Sequence, residues 1–172
     1  MKEPISIFTN AFYIIVGMLL LPNLVGIALI GLGITSGWYH WTKTTSARQW
    51  DVRFIYLTMM SIIGYYFYIL AETVLQPILI VLLVSGYLWY HIEHYRSTYT
   101  IPWMFVFIVG LYSIFTFNVI PILLFTVGYI LNIPFLRKYH VSGKWEFWKV
   151  DICHGLWHLC TALGFYFFIT FI

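Results

Sequence analysis

Long apolar stretches alternate with short polar or proline-containing breaks along the whole chain. The first apolar run covers Ile5 to Leu21 and stops at Leu21-Pro22-Asn23. A second reaches about Trp41 and is followed by the polar stretch Thr42 to Gln49. A third starts near Asp51 and ends near Leu70, where Ala71 to Gln76 and Pro77 make the turn into a fourth that reaches about Tyr90. The polar segment His91 to Thr100 separates it from a fifth over Ile101 to Phe117, a sixth begins around Asn118 to Pro121 and ends at Phe135, and Leu136 to Gly143 precede a seventh. A helix that crosses a ~30 Å hydrocarbon layer needs about 20 residues, so this pattern predicts an all-α, polytopic membrane protein: one domain, residues 1–172, built as a seven-transmembrane helix bundle with short loops.

Composition strengthens that expectation. The chain is 62% hydrophobic and 9% charged, far from the balance of a water-soluble domain. Its aromatic share of 22% suits repeated passage through the two headgroup layers, where amphipathic rings settle. The net charge of +3 forms no stripe of the kind that grips nucleic acid, so the basic residues serve as topology signals. All nine Lys and Arg fall on one side of the predicted bundle: Lys2, then Lys43, Arg48 and Arg53, then Arg96, then Arg137, Lys138, Lys144 and Lys149. The N-terminus is therefore expected in the cytoplasm and the C-terminus on the exported side, with no removable signal peptide. Cys153 and Cys160, two helical turns (about 10 Å) apart on one face, are expected to remain free.

Ionisable groups within a bilayer cost several kcal/mol and mark function, which singles out a handful of positions. Ser36 and His40 share a face near the end of the second run; Asp51 opens the third on the same side; His154 and His158 share a face near the start of the seventh. A His-x-x-x-His pair presents two imidazoles to one cation, and a third His from another helix completes a His₃ set that leaves the fourth tetrahedral position to water. Zinc lowers the pKa of that water to about 7; Asp51 would hold or deprotonate it and Ser36 would donate to a developing oxyanion, so an acyl bond would be cleaved. Plainer readings stand beside each: a packing or haem-ligating role for the His pair, a dipole-answering helix start for Asp51, and a close-packing role for Ser36. Asp151 either orients the His154 imidazole or pairs with Lys149 at the surface. His91 and His94 read as solvated loop residues, and His140 has no assigned role.

The stretches Gly33-Ile-Thr-Ser36-Gly-Trp-Tyr-His40, Asp51 eleven residues on, and Asp151-Ile-Cys-His154-Gly-Leu-Trp-His158 together resemble the CREST superfamily of seven-helix membrane proteins, which includes alkaline ceramidases, Per1-type lipases and progestin and adipoQ receptors. The order and gaps are most similar to the ceramidase and Per1-like branches, and Phe8-Thr-Asn10-Ala-Phe-Tyr resembles the opening of the first ceramidase helix. Val52 stands where alkaline ceramidases usually carry an acidic residue, and of their acidic N-terminal calcium cluster only Glu3 is present. The resemblance implies Zn2+ on His40, His154 and His158, with Ser36 and Asp51 as catalytic residues around the water. The implied activity is zinc-dependent hydrolysis of a membrane lipid, a ceramide-like amide ahead of a phospholipid ester; the short loops and compact size suggest the plasma (inner) membrane of a microbe as its location. A non-enzymatic lipid-sensing or membrane-remodelling protein with a structural zinc is the alternative. Metal or proton transport has less support, because the ionisable residues gather on one side and only Glu72 lies toward the other.

Overall fold

The computed structural model describes residues 3–70, 118–137 and 144–171, with side chains described except at 66–70, 133–137 and 144–148. The predicted helices over 77–90 and 101–117 lie outside the described residues, as do Glu72, His91, His94 and His140. Among the described residues every regular element is a helix: α1 (Pro4–Thr9), α2 (Ala11–Leu19), α3 (Leu24–Thr42), α4 (Thr45–Leu70), α5 (Ile120–Arg137) and α6 (Lys144–Thr170). One stretch among them, Lys149–Thr170, is long and apolar enough to cross a membrane by length and composition; Pro4–Leu19 and Ile120–Asn132 are apolar but shorter.

Local sequence explains most boundaries. Pro4 opens α1, where its missing N–H costs nothing. The Asn23 side chain caps α3 by accepting from the Val25 amide at 3.0 Å, and Asn118 caps α5 through the Ile120 amide at 3.2 Å. Two expectations need correction. The first predicted helix is divided at Asn10, whose side-chain amide donates to the Ser6 carbonyl at 2.8 Å. The polar stretch before Asp51 is mostly helical rather than loop: α3 stops at Lys43, which takes the left-handed conformation (φ 55°), and α4 starts two residues later with the Thr44 hydroxyl facing the Ala47 amide at 3.3 Å. Polarity alone suggests a loop there, but Ser46, Ala47, Arg48 and Gln49 tolerate or favour helix.

α2 and α3 form an antiparallel hairpin, α4 packs on α3, α5 runs along α6, and α1 lies across α6 and α3. The hairpin closes tightly because a Cβ on Gly17 would stand 2.6 Å from the Gly26 carbonyl oxygen. Tyr13 and Val16 of α2, Leu29 and Leu32 of α3, Ile62 of α4, Phe125 of α5 and Phe165 and Phe168 of α6 make the shared apolar core. Gly155 does similar work beside the site: a Cβ there would meet Ile5 Cγ2 at 2.8 Å, so glycine lets α1 lie against α6 between His154 and His158.

Candidate metal centre

The last turns of α3 and the early turns of α6 bring His40, His154 and His158 together, all buried, with one ligand atom from each within 4.8 Å of the others. The Nε2 atoms of His40 and His154 lie 3.2 Å apart. The ring centroids of His40 and His158 are 5.3 Å apart and those of His154 and His158 are 4.5 Å apart. The sequence-predicted trio therefore meets, although His40 is more than a hundred residues from the other two.

What each imidazole does with its other nitrogen decides what the cluster can bind. His40 Nδ1 lies 2.6 Å from Glu3 Oε2, a buried carboxylate that can only accept, so this nitrogen carries the proton. Lys43 Nζ sits 3.2 Å from the same nitrogen but bonds to the same Glu3 oxygen; a lysine donating to an Nδ1 lone pair would leave that lone pair facing the carboxylate. His154 Nδ1 lies 2.7 Å from Asn132 Oδ1, again an acceptor. His158 Nδ1 lies 3.1 Å from Thr9 Oγ1, and the Thr9 hydroxyl hydrogen is already directed to the Ile5 and Ser6 carbonyls, so Thr9 accepts; the Ser6 backbone carbonyl is a second acceptor for the His158 ring. All three rings are thus fixed as the Nδ1–H tautomer, with Nε2 lone pairs left to converge. Lone pairs 3.2 Å apart repel each other, whereas two nitrogens on a tetrahedral zinc stand about 3.3 Å apart. Neutral imidazoles anchored on outer oxygen acceptors are the usual surroundings of a metal-ligating histidine, so the donor set fits a cation such as zinc and this cluster could hold a metal ion.

Ser36 lies one turn before His40 on the buried face of α3, and its hydroxyl bonds to the Asp51 carboxylate from α4. Asp51 is buried, and its Oδ1 has no hydrogen-bond partner among the described residues. Tyr13, whose ring centroid is 5.6 Å from that of His158, is within electrostatic reach of Asp51 and bonds Thr161 at 2.5 Å. Asp151 takes neither role expected of it. Buried on the face of α6 that meets α1, it accepts from the Ile5 amide at 3.0 Å, the Ser6 amide at 2.9 Å and the Ser6 hydroxyl at 2.5 Å, anchoring the start of α1. Cys153 and Cys160 are free.

Glu3, Thr9 and Asn132 are the residues of the candidate site that spacing did not single out. Asn132 carries the same signal as the histidines, a polar side chain inside an apolar run, and Glu3 is the one acid beside the first run. No protein-family model matches the chain, and neither does any curated protein or solved structure.

Proposed function

We propose that the protein is a seven-span, zinc-dependent intramembrane lipid hydrolase that cleaves a ceramide-like acyl amide. The observation that carries the reading is the outward anchoring of all three Nδ1 atoms, which leaves Nε2 of each clustered ring unprotonated, with the Ser36–Asp51 pair starting one turn before His40 on the same buried face of α3. The membrane part of the reading is supported by an inside-out distribution: His40, His154, His158, Asp51 and Asn132 are buried, while Leu24, Ile27, Ile34, Leu123, Ile130 and Ile152 are exposed. α3, at 19 residues, is long enough to cross ~30 Å, and Ser36 and His40, which lower its apolar character, face inward.

When bound, zinc supplies a polarising charge and makes a coordinated water acidic near neutral pH. The three histidines would hold that ion by neutral lone pairs. Ser36 donates to one part of the Asp51 carboxylate, which leaves Oδ1 as the acceptor for a water proton. As the water oxygen bonds to the acyl carbon, Asp51 takes the proton; when the C–N bond breaks, Asp51 returns it to the departing amine, giving a fatty acid and an amino base. The apolar surroundings suit the acyl chains of such a substrate.

The test is turnover by purified, zinc-loaded protein against N-acyl amides and glycerophospholipid esters. Asp51→Asn is expected to retain zinc and fold while losing at least about a hundredfold in turnover. Wild type no more active than His154→Ala would refute hydrolysis. Loss of folded Asp51→Asn protein, with zinc required only for stability, would favour a structural clamp in a lipid-sensing protein.

A further inference from the structure

The outer partners of the histidines differ in chemistry: a carboxylate on His40, an amide oxygen on His154, and a hydroxyl with a backbone carbonyl on His158, all but the carboxylate neutral. A carboxylate is the strongest acceptor of these and pushes most electron density through the ring to Nε2. Glu3 is placed with unusual care for a residue ahead of a six-residue helix. Its amide reaches the His40 carbonyl at 3.5 Å, its carboxylate is buried on His40 Nδ1, and the adjacent α1 is held to α6 by Asp151. Lys43, which shares its Oε2, adopts the left-handed backbone conformation that glycine or asparagine usually supplies after a helix. That conformation ends α3 three residues past His40. The lysine side chain lies over the Tyr39 ring, 4.6 Å from its centroid, and bonds to Glu3.

We infer that Glu3 is a positioning residue of the metal centre: ion-paired to Lys43, its carboxylate fixes the His40 ring and makes Nε2 of His40 the strongest of the three metal donors. The inference rests on the metal-centre reading above. Glu3 touches no reacting atom and acts through His40. Lys43 neutralises the carboxylate and so moderates its effect; it does not itself hold the ring.

The experiment is a zinc competition titration against a chromophoric chelator, using the full chain in detergent, with the visible spectrum of the cobalt(II)-substituted protein as a second readout. Glu3→Gln is expected to bind zinc about 10–100-fold more weakly and to shift the cobalt bands, because the amide keeps an acceptor but loses the charge. Lys43→Met is expected to bind zinc at least as tightly as wild type, since a positive charge near the cation is removed while the carboxylate stays on His40. A merely structural clip predicts the opposite pattern, equal losses in both variants. Equal losses, or wild-type affinity and spectrum in Glu3→Gln, would overturn the assignment. If Glu3→Gln does not fold, a tenfold or greater loss in Lys43→Met overturns it alone. Wild-type protein that takes up neither metal would overturn the metal centre itself, and Glu3's role with it.

Discussion

Asp151 offers a quantitative test of how the site is held. Its two carboxylate oxygens serve three donors, the Ile5 amide, the Ser6 amide and the Ser6 hydroxyl, at 3.0, 2.9 and 2.5 Å. Asp151→Ala removes all three acceptors. A buried donor left without an acceptor costs about 1–3 kcal/mol, but removing the buried charge returns part of its desolvation cost and water can reach the half-buried Ile5 end. The net loss should therefore sit at the low end, about 3 kcal/mol. Asp151→Asn keeps the volume and one acceptor but turns an amide N–H₂ toward a backbone N–H, for a loss of about 2 kcal/mol, and Ser6→Ala removes a single bond, for about 1 kcal/mol. The assay is unfolding of chelator-treated protein in detergent, followed by circular dichroism, so that metal binding does not mask the difference. An Asp151→Ala variant within about 0.5 kcal/mol of wild type, or a Ser6→Ala variant as damaged as Asp151→Ala, would refute the idea that this carboxylate ties α1 to α6.

Gly155→Ala should push α1 off α6, because the new Cβ would stand 2.8 Å from Ile5 Cγ2 and 3.2 Å from Thr9 Oγ1. Ile5 can partly yield, so the stability loss is expected near 1–2 kcal/mol, while zinc affinity, read by chelator competition, falls as Thr9 is moved from His158; unchanged affinity would argue against that contact. The proposed seven crossings would place the two ends of the chain on opposite faces of the membrane. Labelling of single cysteines introduced at residues 2 and 171, after Cys153 and Cys160 are replaced by serine, should show opposite accessibility in sealed vesicles, and equal accessibility would exclude an odd number of crossings.

The sequence by itself determined the helical class of the described residues and the pairing of candidate site residues within each helix. Residues four apart share a face whatever the rest of the chain does, so Ser36 with His40 and His154 with His158 were legible from spacing alone. That the two faces could meet was an expectation resting on helices that alternate in direction, and the packing of α1 against both α6 and α3 supplies the contact. The structure decided what periodicity cannot carry: which distant side chain stands behind each ring. Glu3, Thr9 and Asn132 come from three separate segments, and the choice among neighbours is set by how α1, α3, α5 and α6 cross. Asp151 shows the same limit from the other direction. Three residues from His154, it looked like that ring's partner or a surface ion, yet the helical turn aims it at the start of α1, where free backbone N–H groups need an acceptor. Local spacing fixes the direction in which a side chain leaves its helix, and only the packing of helices against one another fixes what it meets there.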